Sequence, residues 1–209
     1  MEPTLHDPCY RRPIEARYLD PVDVIWLATA RRLGLHIRRD PSIFSRTDGT
    51  GLLALGPRED LDPDDNLSQM ILHELCHWIT NGLETFSERD WGFELDDAVN
   101  VKEHACVRLQ CWVAQRFGMR GLYGPTGIFR QYYDGLPADP LAPVDDGAWE
   151  AQVCALARDA VARAQGAPWW TPLREAMTAT AAIRGLLQPF LADYATEIPD
   201  DPLPSLWAR

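Results

Sequence analysis

The chain lacks the features that mark membrane, secreted and nucleic-acid-binding proteins. Its 209 residues contain no apolar run that approaches the length of a membrane span. Residues 1–8 include neither a basic stretch nor an apolar one, so we expect no secretory signal. The 20 Lys and Arg residues are outnumbered by 31 Asp and Glu, which gives a net charge of −11. That charge argues against non-specific binding to nucleic acid, whose phosphates need cationic partners.

Cysteine is also scarce, with 5 residues, an odd number without the regular spacing of a disulfide framework. We therefore expect reduced thiols in a cytoplasmic protein. Cys76, Cys106 and Cys111 are expected to pack as small apolar side chains, and Cys106 is a less favoured metal ligand. Solubility accounts for the acidity of the chain, and a preference for a basic peptide partner is the alternative.

Histidine is equally scarce, yet two of the 5 residues fall in one motif, His73-Glu74-Leu75-Cys76-His77, which reads H-E-x-x-H. Given this composition, roughly 0.006 such matches are expected by chance. Residues four apart share one face of a helix, so both imidazoles can bind one metal ion. Glu74, on the flank of that face, can reach a metal-bound water without being a ligand. The alternative is a helix whose two histidines merely decorate a polar face.

The residues around the motif predict a helix over 66–81. Good N-cap residues precede it, namely Asp64, Asp65 and Asn66. No Pro or Gly interrupts it, and Asn81-Gly82 supplies a stop. Its apolar residues recur at helical spacing: Met70, Ile71, Leu75, Trp78 and Ile79. Such a helix packs into a core, which places the two histidines at the edge of that core, in a cleft.

A third protein ligand is expected from the next helical segment, residues 97–117. Glu103 is the first choice, because in one common arrangement the third ligand is a Glu on a later helix. His104 is the main rival, since imidazole is an equally good ligand. A solvated Glu103 paired with Lys102 or Arg108 is the alternative without a metal. Acidic residues in the loop or at the helix cap are weaker candidates: Glu94, Asp96 and Asp97.

The whole chain predicts one domain, residues 1–209, of the α+β class: mainly helical with a small sheet and a zincin-like pair of metal helix and ligand helix. Its core is expected at 20–187, with an irregular N-terminal segment 1–19 and a Pro-rich tail 188–209. Further helices are predicted at 20–34, 147–165 and 172–187, strands at 35–39 and 50–56, and a glycine-rich loop at 118–136. The strand Leu52–Leu55 is expected at a sheet edge, where an extended peptide can pair with it. Tryptophans near the site in sequence are expected in the core rather than in a substrate pocket: Trp78, Trp91 and Trp112.

The motif and the expected third Glu resemble those of the zincin metallopeptidases over residues 50–115. A longer resemblance, over residues 66–180, is to the elongation factor P hydroxylase family. It rests on Trp78 and Gly82 after the motif, on Asp90-Trp91-Gly92-Phe93, on the V-x-V-K-x-x-A stretch 99–105, and on helix 147–165 with the Gly-Ala-Pro that follows it. This second resemblance implies a non-haem iron that two His and a carboxylate hold, and the hydroxylation of a modified lysine on a translation factor. Asn100 departs from it, because an acidic residue is expected there.

Three hypotheses for the function follow. In the first, His73, His77 and Glu103 bind Zn²⁺ in a hydrolase, and Glu74 moves a proton from a metal-activated water to the leaving nitrogen of a peptide or protein substrate. Candidate oxyanion donors are Tyr123, Tyr132, Tyr133 and His104. In the second, the same three ligands hold Fe²⁺ in a hydroxylase. In the third, a closed four-ligand site stabilises a non-catalytic interaction module. No nucleic-acid or membrane partner is expected, and the sequence sets no oligomeric state.

Overall fold

A computed structural model describes residues 19–61, 65–93 and 100–197, with side chains described as far as residue 190. The described part contains six α-helices and three strands. The helices are α1 (Pro21–Arg32), α2 (Leu67–Asn81), α3 (Val101–Arg116), α4 (Arg130–Asp134), α5 (Ala148–Ala164) and α6 (Trp170–Glu197). The strands are β1 (His36–Arg39), β2 (Ser45–Thr47) and β3 (Leu52–Leu55). A mainly helical chain with one small sheet confirms the α+β class. Most of the expected N-terminal segment 1–19 lies outside the described residues.

The sheet corrects the prediction that Leu52–Leu55 forms an edge. Strand β3 is the central strand, parallel to β1 on one side and antiparallel to β2 on the other. Strand β2 is only three residues long and was not predicted from the sequence. The apolar run of β3 does not alternate, which is typical of a strand covered on both faces, and Leu53 and Leu55 are fully buried. The outer edges of the sheet are therefore β1 and β2.

Helix α2 is fixed at both of its ends. Asn66 is the N-cap, and it forms a capping box with Gln69. At the other end Gly82 adopts φ +108°, and Arg163 of α5 donates to the carbonyl oxygens of Ile79 and Thr80 at 3.0 and 2.6 Å. Between these ends the apolar residues of α2 are buried in the main core cluster. The helix therefore gives the motif a rigid support, as its spacing predicted.

Two predicted irregular segments contain helix. Helix α6 continues past the predicted end at 187 and includes Pro189. A proline in a helix interior removes a hydrogen bond and clashes with the preceding turn. Pro189 lies in an exposed part of α6, and the residue four positions earlier is a glycine. The segment 118–136 contains α4 and the 3₁₀ turn Gly127–Phe129. Residues 198–209 of the predicted tail lie outside the described residues.

The tryptophans confirm the core interpretation. Trp78 and Trp91 are buried and stack with ring centroids 5.3 Å apart. Trp112 is partly buried and packs against the same core, beside Trp170 and Arg116. In the part of the chain that the structure describes, no helix combines the length and the apolar character needed to span a bilayer.

Candidate metal centre

The two histidines of the motif lie one turn apart on α2 with ring centroids 4.4 Å apart. Glu103 approaches them from the first turn of α3, whose N-cap is Asn100. Nε2 of His77 lies 3.1 Å from Oε2 of Glu103, and Nε2 of His73 lies 3.4 Å from Oε1. Both imidazoles thus present the same nitrogen to one carboxylate.

These separations fit a shared metal ion. Two ligand atoms that lie 2.0–2.1 Å from one tetrahedral ion are about 3.3 Å apart. The ligand atoms of His73, His77, Glu103 and Cys106 all lie within 4.8 Å of one another. Nitrogen, carboxylate and sulfur donors suit Zn²⁺ or Fe²⁺, and they leave the type of metal undetermined. The buried group can therefore hold a transition-metal ion.

The electrostatics of the group also favour a cation. Burial alone would raise the pKa of Glu103, but the charge of His77 and hydrogen bonds from both imidazoles hold that pKa well below its usual range. Burial lowers the pKa of His73, but the hydrogen bond and charge of Glu103 outweigh it and raise that pKa to about 9. The carboxylate thus stabilises a proton on the imidazole of His73. A metal ion takes the place of that proton when these atoms bind it.

Cys106 is the member of this group that the sequence analysis did not favour. It lies one turn beyond Glu103 on α3, and its Sγ donates to the carbonyl oxygen of His73 at 3.7 Å. Burial raises the pKa of the Cys106 thiol well above its ordinary value, so the thiol keeps its proton unless a metal displaces it. The i, i+3 spacing from Glu103 was the signal that could have identified it.

A cavity of about 670 Å³ opens beside the group. The described residues that line it come from five segments: Phe44 and Ser45 beside and in β2; His73, Glu74 and His77 of α2; Asp90 and Phe93 of the turn 90–93; Asn100 and Glu103 at the start of α3; and Thr126, Gly127, Ile128 and Phe129. Phe93 stacks on His77, with centroids 4.2 Å apart and planes inclined by 15°. Phe44 and Ile128 are 49% and 73% exposed. The metal group therefore faces a cleft with an aromatic wall and an apolar rim.

One wall depends on an uncommon backbone turn. Asp90, Trp91 and Gly92 have φ of 50°, 57° and 70°, three successive residues in the left-handed region. Such backbone is strained for side chains other than glycine and persists only where contacts hold it. Here Asp90 accepts from the backbone N–H of Thr47 at 2.9 Å, and Asn81 donates to the carbonyl oxygen of Trp91 at 2.7 Å. The turn directs Phe93 onto His77.

His104 is turned away from the group that contains its neighbour Glu103. Its Nδ1 donates to the carbonyl oxygen of Asn100 at 2.9 Å. Its ring packs edge-on against Phe129, Tyr132 and Trp149. The weaker candidates at 94, 96 and 97 lie outside the described residues.

The structure brings none of the four candidate oxyanion donors to the lining of the cavity. Tyr123 is buried beside Trp26, the hydroxyl of Tyr132 meets Arg108, and Tyr133 donates to the carbonyl oxygen of Arg120. Burial is the main cause that raises the pKa of all three phenols, that of Tyr123 to about 12. Apart from the metal group, the polar residues that line the cavity are Ser45, Glu74, Asp90, Asn100 and Thr126.

In comparisons with known proteins, no family model, no curated protein and no solved structure matched this chain. Its chemistry is therefore inferred from its own residues.

Proposed function

We propose that the protein is a metal-dependent enzyme, and first of all a zinc hydrolase that acts on a peptide or protein amide. The observation that carries this proposal is the position of Glu74. Its carboxylate is 5% exposed and lines the same cavity as His73, His77 and Glu103. A hydrolase of this type needs a general base beside three metal ligands, with an open position towards the substrate.

Glu74 can act as a base because its carboxylate is not hydrogen-bonded to the neighbouring histidine. Its Oε2 lies 3.8 Å from Nδ1 of His77, which is too far for a hydrogen bond. Zinc in this group would supply a Lewis acid that polarises the substrate carbonyl and lowers the pKa of water. Glu74 then accepts a proton from the attacking water and donates it to the leaving nitrogen.

The edge of β2 offers a place for an extended substrate. Gly56 donates to the carbonyl oxygen of Phe44, and Asp48 donates to that of Leu52, so residues 44 and 48 turn their backbone groups towards β3. The alternate residues Ser45 and Thr47 turn theirs outward. Asp90 already occupies the N–H of Thr47, and Ser45 lines the cavity. Main-chain pairing at Ser45 would lay a peptide across the metal group.

The first test is elemental analysis of protein purified without oxygen and without added metal, followed by a screen of peptide cleavage. Glu74→Gln should keep its zinc and lose turnover, because an amide cannot act as the base. Glu84→Gln is the control, since it removes an exposed carboxylate just beyond α2. Loss of zinc from Glu74→Gln would contradict the role of a base and would point to Glu74 as a ligand.

A non-haem iron hydroxylase is the second candidate. Two of the segments that resemble the elongation factor P hydroxylase family border this cavity: Phe93, from the turn 90–93, stacks on His77, and the stretch 99–105 supplies Glu103. Two His and one carboxylate with open positions also suit Fe²⁺ and oxygen. Stoichiometric iron, with oxygen consumption when a translation factor is added, would favour this candidate over the hydrolase. A closed site with Cys106 as fourth ligand and no turnover would favour the non-catalytic module.

A further inference from the structure

His73 makes a second polar contact through its other ring nitrogen. Nδ1 lies 2.8 Å from Oε1 of Gln110. Gln110 lies on α3, two turns beyond Glu103, and it is 0% exposed. The H-E-x-x-H pattern gives no reason for a buried glutamine in contact with a candidate metal ligand.

The other contact of Gln110 determines which way its amide faces. Nε2 donates to the carbonyl oxygen of Tyr123 at 2.8 Å. Because a carbonyl only accepts, the amide nitrogen must lie on that side, and Oε1 must face His73. An amide oxygen also only accepts, so Nδ1 of His73 carries the hydrogen. The lone pair of the neutral imidazole is then on Nε2, the atom that faces Glu103.

We propose that Gln110 is a positioning residue of the metal centre, which holds His73 in the tautomer that binds a metal ion through Nε2. This inference rests on the proposed function only in that a metal occupies the group. Histidine ligands are commonly oriented by a carboxylate, a carbonyl or water. The neutral amide of Gln110 orients the ring in the same way without adding a second negative charge beside Glu103.

The chain offers a matched control in Gln69. This second buried glutamine, on α2, donates through Nε2 to the carbonyl oxygen of Gly124, the residue after Tyr123, and it also forms the capping box of α2 with Asn66. Both glutamines therefore tie one short segment to the two site helices, but only Gln110 is hydrogen-bonded to a metal-ligand candidate. Substitutions of the two glutamines therefore distinguish a role in orienting His73 from a role in holding the segment 123–124.

The test compares Gln110→Met with Gln69→Met by zinc competition against a chromophoric chelator at fixed pH. We expect Gln110→Met to bind zinc about 10- to 100-fold more weakly than the wild-type protein. In proton NMR spectra of the zinc-loaded proteins, we expect the exchange-protected Nδ1–H signal of His73 in wild type and in Gln69→Met, and its loss in Gln110→Met. Gln69→Met should be less stable, with unchanged zinc affinity.

Several outcomes would overturn the inference. Wild-type zinc affinity in Gln110→Met would remove the role of Gln110 and leave the proposed metal centre intact. Equal losses of zinc affinity in both variants would mean that Gln110 only supports the segment 123–124. Absence of the protected His73 signal from the wild-type protein would also overturn it, even if Gln110→Met does not fold. Failure of the wild-type protein to bind zinc, cobalt or ferrous iron would overturn the inference and the proposed function together.

Discussion

Two buried polar clusters on different faces of α3 contrast in how fully they are satisfied. On one face Arg108 donates to the hydroxyl of Tyr132, to the carbonyl oxygens of Pro140 and Ala142, and to Glu150. Arg108 and Glu150 form an ion pair, and both of their side chains are 0% exposed. On the other face, among the described residues, Glu103 is hydrogen-bonded to the imidazoles of His73 and His77, and all three residues border a cavity.

The contrast separates a cluster that stabilises the fold from one that could hold a metal ion. A buried charge is tolerated in a protein when hydrogen-bond partners satisfy it, and four of the five N–H donors of Arg108 have such partners. A cluster of metal-binding atoms beside an open cavity leaves coordination for an ion and for substrate. The Arg108 cluster should therefore govern folding, and the Glu103 cluster should govern metal binding.

The largest expected effect is on folding. Arg108→Met leaves Glu150 buried without its partner, and breaking a buried pair in this way typically costs about 3–5 kcal/mol of the free energy of unfolding. Urea denaturation in the presence of a chelator measures this cost. Arg32→Met is the control, because the Arg32–Glu175 pair is half exposed and such pairs contribute about 0–1 kcal/mol. Equal losses in the two variants would contradict the structural role of Arg108.

For metal binding, a substitution in the Glu103 cluster should have a larger effect than one in the Arg108 cluster. Zinc at a free concentration 100 times its dissociation constant should raise the free energy of unfolding by about 2.7 kcal/mol, because only the folded protein has the site. Glu103→Gln should lose this gain, since an amide is a poorer ligand than a carboxylate. Thermal unfolding with and without zinc measures the difference. An undiminished zinc effect in Glu103→Gln would exclude that residue as a ligand.

The turn beside the cavity should be sensitive to a single methyl group. Alanine at Gly92 adopts φ +70° and places Cβ 2.5 Å from Oε2 of Glu88. Gly118→Ala is the matched control, because its φ is +69° and nothing lies within 4 Å of the added atom. Both variants should lose about 1–2 kcal/mol through the left-handed backbone alone. Gly92→Ala should lose more, unless the Glu88 side chain moves away without cost.

The smallest effect is expected from a substitution of His104, the rival of Glu103 as a metal ligand. His104→Phe keeps an aromatic ring among Phe129, Tyr132 and Trp149 but loses the hydrogen bond to Asn100, which is worth about 1 kcal/mol. Zinc affinity should stay at the wild-type value, as isothermal titration calorimetry can show. A marked loss of affinity would restore His104 as a rival ligand.

The helices of the site were predictable because their signals are local. Asn66, the uninterrupted apolar spacing and Gly82 determine where α2 begins and ends, and these residues interact within a few positions of one another. Helical periodicity also places Glu103, Cys106 and Gln110 on one face of α3. Of the three, Glu103 was the expected ligand, Cys106 a less favoured one, and Gln110 was assigned no role, because Cys and Gln in a helix more often pack or face water.

The walls of the site were not predictable in the same way. The edge strand β2 has three residues and depends on pairing with β3, so its own sequence carries little signal. The tyrosines of the segment 118–136 were candidate oxyanion donors, and the sequence offered no means of choosing among them. Packing instead turned them towards Trp26, Arg108 and Arg120.

By itself the sequence determined the metal-binding motif, the helix that carries it and the mainly helical α+β class, because residues three to five apart set helical faces and caps. Only the tertiary structure decided which face of α3 meets α2, that β2 forms an outer edge of the sheet, and that Glu74 and Phe93 border one cavity. These features join residues far apart in the chain. They follow from which apolar surfaces bury one another, and no short stretch of sequence contains that information.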